Sequence, residues 1–294
     1  MFPTFTRKRL RANGVEINTL VSGSGPPLLL LHGYPQSHLI WHRVAPELAK
    51  QFTVVVTDLR GYGLSDKPVG ASDHANYSKR AMAQDQLEVM SQLGFNTFFL
   101  CGHDRGGRVS HRLAVDHPQA VRKLMLLDIS PTLTMYEQTN MDFARSYWWW
   151  FFLIQPTPFP ESMVAAAPET YLRKKIGWGH AGLKPFTDET YAAYLSYVSD
   201  PVTMHGMCED YRAAASIDLE HDRADREVGK KIACDVRVLW GEFGVVNRCF
   251  HPVEDWRNVT ANVNAVSGRT VPCGHYIPEE VPEDLINEIK TFFA

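Results

Sequence analysis

The stretch Leu100-Cys101-Gly102-His103-Asp104-Arg105-Gly106-Gly107 joins an apolar, β-prone run to a helix through a turn that only small residues permit. Glycine stands two positions before Asp104 and two positions after it. Thr97 to Cys101 is a short apolar run, and Arg108 to His117 has helical spacing that stops at Pro118. Glycines alone punctuate many loops. A strand before and a helix after make this frame a sharp bend that presents one side chain at a sheet edge. A serine there would need a histidine to take its proton before attacking a carbonyl. An aspartate is already ionised, and its natural target is a saturated carbon bearing a leaving group. The product is an alkyl ester of the aspartate, which a histidine-activated water hydrolyses; alkyl halides and epoxides suit this route. The competing reading is that Asp104 merely caps the helix that starts at Arg105.

The rest of the chain fits one large domain with an insertion: 294 residues, 45% hydrophobic, both charge signs mixed. A formal net charge of -3 predicts no nucleic-acid or membrane partner. Met1 to Lys8 lacks the apolar core of a signal peptide, and no stretch is long enough to span a bilayer. Five cysteines form an odd set without paired spacing, so reduced thiols in the cytoplasm are expected, with no metal framework. Leu28 to Leu31 and Phe52 to Thr57 read as strands buried on both faces, Tyr77 to Leu93 as a helix, and Val121 to Asp128 as the strand after the elbow helix. Strands alternating with helices at this spacing predict an α/β fold with a mostly parallel, doubly covered sheet. Residues 1–130 and 234–294 form this core. From Pro131 to about Ala233 no strand is evident and aromatic-rich helices prevail, which predicts a helical cap domain over residues 131–233.

The partners of Asp104 are sought at the carboxyl ends of the strands. Asp128 closes its strand and is preferred as the acid over Glu242, which follows a later strand; a plain strand-end cap is the alternative. Of twelve histidines, only His275 lies just before the last helix and completes the order nucleophile, acid, histidine. His32-Gly33-Tyr34-Pro35-Gln36 follows an apolar strand, so the backbone N–H groups of Tyr34 and Arg105 are the expected oxyanion donors. Arg105 and Arg108 stand in the first turn of the elbow helix, where the helix dipole disfavours cations. Three residues apart, they share a face and can clamp a carboxylate beside Asp104; ordinary salt bridges, Arg108 to Asp104 included, are the alternative. In the aromatic run Ser146 to Phe152, Trp150 is read as pocket lining together with Tyr211, because indole N–H and phenol O–H are what an apolar pocket needs to hold an anion.

These motifs resemble the fluoroacetate dehalogenases of the α/β-hydrolase superfamily. The resemblance rests on Gly102 to Arg108, His32 to Gln36, Asp58-Leu59-Arg60-Gly61-Tyr62-Gly63, Asp128-Ile129, Trp150 with Gln155-Pro156, Asp210-Tyr211-Arg212-Ala213, and Gly274-His275, and it covers nearly the whole chain. It implies the α/β-hydrolase fold with a cap, a small halogenated carboxylic acid and water as substrates, no cofactor, and a homodimer. It also implies that Asp104 attacks the carbon behind the halogen, that Arg105 and Arg108 hold the carboxylate, and that His275, oriented by Asp128, activates water. The family's halide donors are a histidine, a tryptophan and a tyrosine. Trp150 and Tyr211 match the last two, whereas Trp149 stands where the histidine is expected. An indole keeps one donor but cannot become cationic, so defluorination should suffer most, fluoride being strongly hydrated. An epoxide hydrolase shares the aspartate elbow and needs a cap tyrosine such as Tyr147 or Tyr211, but two arginines have no role with a neutral substrate. A neutral haloalkane fails on the same ground. A ligand receptor on this fold would need no intact Asp104, Asp128 and His275.

Overall fold

Four parallel strands buried on both faces build the centre of the molecule, and their alternation decides what packs on each side. In the computed structural model, which describes all 294 residues, eight strands form one sheet. They are β1 (Thr6–Ala12), β2 (Val15–Ser22), β3 (Pro27–Leu31), β4 (Thr53–Thr57), β5 (Phe98–His103), β6 (Val121–Leu127), β7 (Asp235–Gly241) and β8 (Val266–Val271). Their spatial order is β1-β2-β4-β3-β5-β6-β7-β8. β1 and β2 pair antiparallel, as do β2 and β4; every later pairing is parallel. Leu29, Leu31, Val55, Leu100 and Leu126 join the core on one face; Leu28, Leu30, Val54, Cys101 and Met125 join the core on the other. Such strands have no polar face, which is why they read as continuous apolar runs.

β1 and β8 carry no such signature. Thr6–Ala12 is mostly exposed and rich in arginine and lysine, and Val266–Val271 is half exposed. Both are edge strands, whose outer side needs no apolar pattern and is protected from further pairing by charge.

Between β6 and β7 the chain forms eight α-helices, from Thr132–Glu137 to Ile217–Val228, and no strand. None of the helices in the protein is long and apolar enough to cross a membrane. All five cysteines are free.

The strand order sets the position of the site. From β3 the chain moves to β4 on one side, whereas β5 lies on the other, so the sheet has a switch point between β3 and β5. Loops leaving the carboxyl ends of these two strands diverge there and leave a crevice. Tyr34 follows β3 and Asp104 follows β5. Register then aligns the next strands: His103 pairs with Leu127, and Leu127 with Leu239, which places Asp128 beside Asp104.

The helix after β5, Arg105–Asp116, folds back onto its own strand so closely that the glycines of the elbow become obligatory. A Cβ on Gly106 would lie 2.4 Å from the His32 carbonyl oxygen. On Gly179, by contrast, a Cβ meets nothing within 4 Å. Gly106→Ala is therefore expected to lower the free energy of unfolding by about 1–3 kcal/mol in urea titrations, with Gly179→Ala close to neutral. Equal stability of the two variants would contradict this packing.

Candidate active site

Asp104 occupies a backbone conformation that few side chains tolerate, with φ 48° and ψ −114°. It precedes the helix Arg105–Asp116, but its side chain makes no capping hydrogen bond. The carboxylate is thus free of the helix and turned into the crevice. Tyr34 N–H donates to its Oδ1 at 3.0 Å. Gly33 makes this approach possible, since a Cβ there would lie 2.5 Å from the Cβ of Asp104. From Arg105 N–H, the other expected oxyanion donor, no hydrogen bond to the carboxylate forms. Oδ2 lies 3.8 Å from His275 Nε2.

Behind His275 stands Asp128, also at positive φ (52°). His275 Nδ1 is 2.5 Å from Asp128 Oδ2, and Asp128 Oδ1 accepts from Gly241 N–H at 2.9 Å. A carboxylate at Nδ1 fixes the proton on that nitrogen and leaves the lone pair on Nε2, which points toward Asp104. Glu242 is exposed and takes no part. Burial alone would raise the pKa of Asp104, but the electrostatic influence of its neighbours, the His275 imidazole first and then the Arg108 guanidinium, outweighs it and holds the carboxyl well below the usual range. The group is therefore an ionised carboxylate with one oxygen held by a backbone N–H and the other facing an imidazole lone pair.

Arg105 and Arg108 are both buried, and the structure treats them differently. Arg105 donates from Nε to Asp210 Oδ2 at 2.8 Å and from Nη2 to Asp210 Oδ1 at 2.8 Å. Its Nη1 has no partner. Asp210 also binds Lys79, and it accepts from Tyr62 Oη at 2.6 Å. Arg108 pairs with no carboxylate. Its Nη1 donates to Thr132 Oγ1 at 3.0 Å and to the Ser130 carbonyl at 3.3 Å, its Nη2 reaches Met135 Sδ at 3.2 Å, and its Nε is unpartnered. Burial first, then the charge of Arg105, lower the pKa of Arg108. A buried guanidinium that makes no salt bridge and feels a counter-charge only through space, from Asp104, is costly to fold and well suited to receive an anion.

The aromatic residues divide along the same line. The guanidinium of Arg105 lies 4.1 Å from the Tyr211 ring centroid and that of Arg108 lies 4.6 Å from the Trp150 ring centroid. Tyr211 Oη and Trp150 Nε1 are both buried without a partner. Four unpartnered donors (Arg105 Nη1, Arg108 Nε, Trp150 Nε1 and Tyr211 Oη) are thus gathered with Asp104. Trp149 is placed differently: it packs on Tyr147, at 4.6 Å between ring centroids, and lines a cavity shared with Lys175 and His275. Sequence reasoning missed Asp210, although it named the motif around it, because nothing in a sequence says which buried charge a carboxylate will meet. It also missed Lys175, the last of three consecutive basic residues that read as an ordinary helix C-terminus.

Comparison with known proteins agrees with this architecture. The family model described as alpha/beta hydrolase fold matches residues 26–175. A fluoroacetate dehalogenase from Burkholderia sp. is 46% identical over 295 residues, covering 100% of this chain and 95% of that protein. A soluble epoxide hydrolase from Corynebacterium sp. (strain C12) is 32% identical, covering 100% of this chain and 99% of its own. The crystal structure of a putative alpha/beta hydrolase from Nostoc sp PCC 7120 superposes with a TM-score of 0.96 at 51% identity, over 100% of this chain and 99% of that one.

The unequal arginines make opposite predictions. Arg108→Met removes a buried charge that makes no salt bridge and that Asp104 meets only through space, so the variant should be at least as stable as the parent in urea. Arg105→Met deprives Asp210 of its bidentate partner and should cost on the order of 3 kcal/mol. Acetate should raise the Tm of the parent more than that of Arg108→Met, since a bound anion stabilises by mass action and the variant has lost the cation nearest Asp104. The reverse order of stabilities would contradict the assignment.

Proposed function

The chain belongs to the α/β-hydrolase fold family as a hydrolase acting on carbon–halogen bonds, and from that premise we propose that it hydrolyses haloacetates through an ester of Asp104. The carrying observation is the set of unpartnered buried donors around Asp104, with Arg108 lacking any carboxylate. Arg105 Nη1 and Arg108 take the carboxylate of the substrate, which brings its α-carbon to Asp104. Oδ2 attacks that carbon, the carbon–halogen bond breaks, and the halide leaves with the bonding electron pair between Trp150 Nε1 and Tyr211 Oη. Oδ1, held by Tyr34 N–H, becomes the ester carbonyl.

In the second step His275 Nε2 takes a proton from water as the water oxygen attacks Cγ of Asp104. Asp128 steadies the resulting imidazolium. Charge collects on Oδ1, where Tyr34 N–H is already in place, and is returned as the ester bond breaks. Glycolate departs with the old Oδ2, its alkoxide oxygen taking the proton back from the His275 imidazolium, and the oxygen from water stays on Asp104, whose carboxyl releases the remaining proton to solvent. The helices of residues 131–233 act as the cap that supplies Trp150, Asp210 and Tyr211. A neutral epoxide would leave the charge of Arg108 unanswered, which favours the haloacetate over the epoxide reading.

The decisive experiment is trapping. His275→Asn exposed to bromoacetate should carry a stable carboxymethyl ester on Asp104 by peptide mass spectrometry, and Asp104→Asn should release no halide. With the parent in isotopically labelled water, label should enter the Asp104 side chain over many turnovers; its absence there would falsify the ester route. Because Trp149 replaces the histidine that the resemblance implies, chloride release from chloroacetate is expected to outpace fluoride release from fluoroacetate. Equal or faster fluoride release would show that Trp149 is no handicap.

A further inference from the structure

The mechanism leaves one buried cation unused. Lys175 is only 1% exposed. Its ammonium donates to Tyr276 Oη at 2.9 Å and pairs with no carboxylate. The rest of its surroundings is aromatic: Nζ stands 4.0 Å from the Trp149 ring centroid, 5.4 Å from that of Tyr276 and 5.6 Å from that of Tyr34. The side chain lines a cavity of about 180 Å³, walled by Trp149, Tyr147, Trp178 and His275, which lies beside the imidazole that faces Asp104.

We propose that this cavity is a second, outer anion site, with Lys175 as its cation, which takes a small monovalent carboxylate or halide against the Trp149 indole. The identity of these anions rests on the haloacetate reading; the existence of the site does not. Two of the three ammonium protons remain without a protein acceptor, which is the capacity an anion needs. Aromatic faces ease the burial of a cation without neutralising it. Any anion approaching His275 also meets the repulsion of Asp104 and Asp128. A cation on the cavity wall offsets that repulsion, both for a carboxylate entering and for a halide leaving.

The other charged groups around Lys175 do not fill this role. His275, Glu280 and His180 line the same cavity. Glu280 is occupied by the N–H groups of Gly274 and Tyr276, at 2.7 and 2.8 Å. His180 stacks on Phe243 at 4.1 Å. Burial lowers the pKa of Lys175 to about 7, with Asp104 and Asp128 opposing the shift. His103, whose pKa burial and the charge of His275 lower to about 3, is kept neutral partly by Lys175 itself. The ammonium therefore holds its charge below about pH 7 and loses it above, so anions should bind more tightly on the acid side.

The test uses the full chain, sodium bromide and sodium acetate in separate titrations, and tryptophan fluorescence, since Trp149 and Trp178 line the cavity. At about pH 6, Lys175→Met should lose one saturable phase or weaken it at least about tenfold, whereas Lys175→Arg should keep it. At about pH 8.5 the parent should behave like Lys175→Met, and Lys175→Arg should still bind, because a guanidinium does not titrate there. A phase lost with bromide alone marks a halide site, and one lost with acetate alone marks a carboxylate site; either supports the proposal. Superimposable titrations of parent and Lys175→Met at about pH 6 with both anions overturn it. Should Lys175→Met not fold, a parent that binds both anions equally at the two pH values, with Lys175→Arg identical to it, overturns it as well. Halide release measured on the same preparations keeps the two readings apart. Turnover with superimposed titrations removes the outer site alone, and Lys175-dependent binding without turnover removes the haloacetate reading alone.

Discussion

Two guanidinium groups buried one helical turn apart, at the positive end of a helix dipole, are the arrangement to which the rest of the site answers. Each repels the other, and both oppose the dipole. The helix Pro201–Ala214 relieves half of this by sending Asp210 down onto Arg105, a pairing that Lys79 and Tyr62 reinforce from the core. That lock ties the helical insertion to the sheet. It also leaves one edge of Arg105 free, and it brings the next residue, Tyr211, across the guanidinium face. Arg108 receives only neutral acceptors. Its charge, met only through space by Asp104, is a standing cost of the fold.

The same field governs Asp104. Burial on its own would favour the protonated acid, which cannot attack carbon. The cations around it reverse that preference, so the carboxylate is ionised without being consumed in a salt bridge. Tyr34 N–H restrains one oxygen and the other is left to react. The positive φ at Asp104 and Asp128 costs on the order of 1–3 kcal/mol each. Both residues leave adjacent parallel strands at the same level, and the turn at each aims a carboxylate at the imidazole of His275. The strain is tolerated because the glycines around the elbow let strand, loop and helix close on it.

How much of this is legible in the sequence follows from which forces leave a pattern in it. Strands buried on both faces, such as Leu28 to Leu31, and the glycine-framed turn at Asp104 declare themselves because sterics and burial act on neighbouring residues. The placement of Asp128 and His275 can be read from strand-end position and chain order. β1 and β8 escape notice because an exposed edge imposes no apolar alternation. Asp210 and Lys175 escape for a different reason: their meaning depends on partners 105 residues away in one case and 101 in the other. An aspartate before a tyrosine and a lysine at the end of a helix look ordinary until the fold removes their water.

The aromatic run shows how one departure from a family pattern can be absorbed. Consecutive helical residues point about 100° apart, and here Trp149 and Trp150 line different walls. Trp150 lies over Arg108 inside the arginine pocket, and Trp149 lies under Lys175 beside His275. A histidine at position 149 would carry its own charge; an indole cannot. Here a positive charge stands over the indole face, on the Lys175 ammonium, and the ring quadrupole attracts it. The outer cavity thus has a cation of its own, while the inner pocket holds the two arginines.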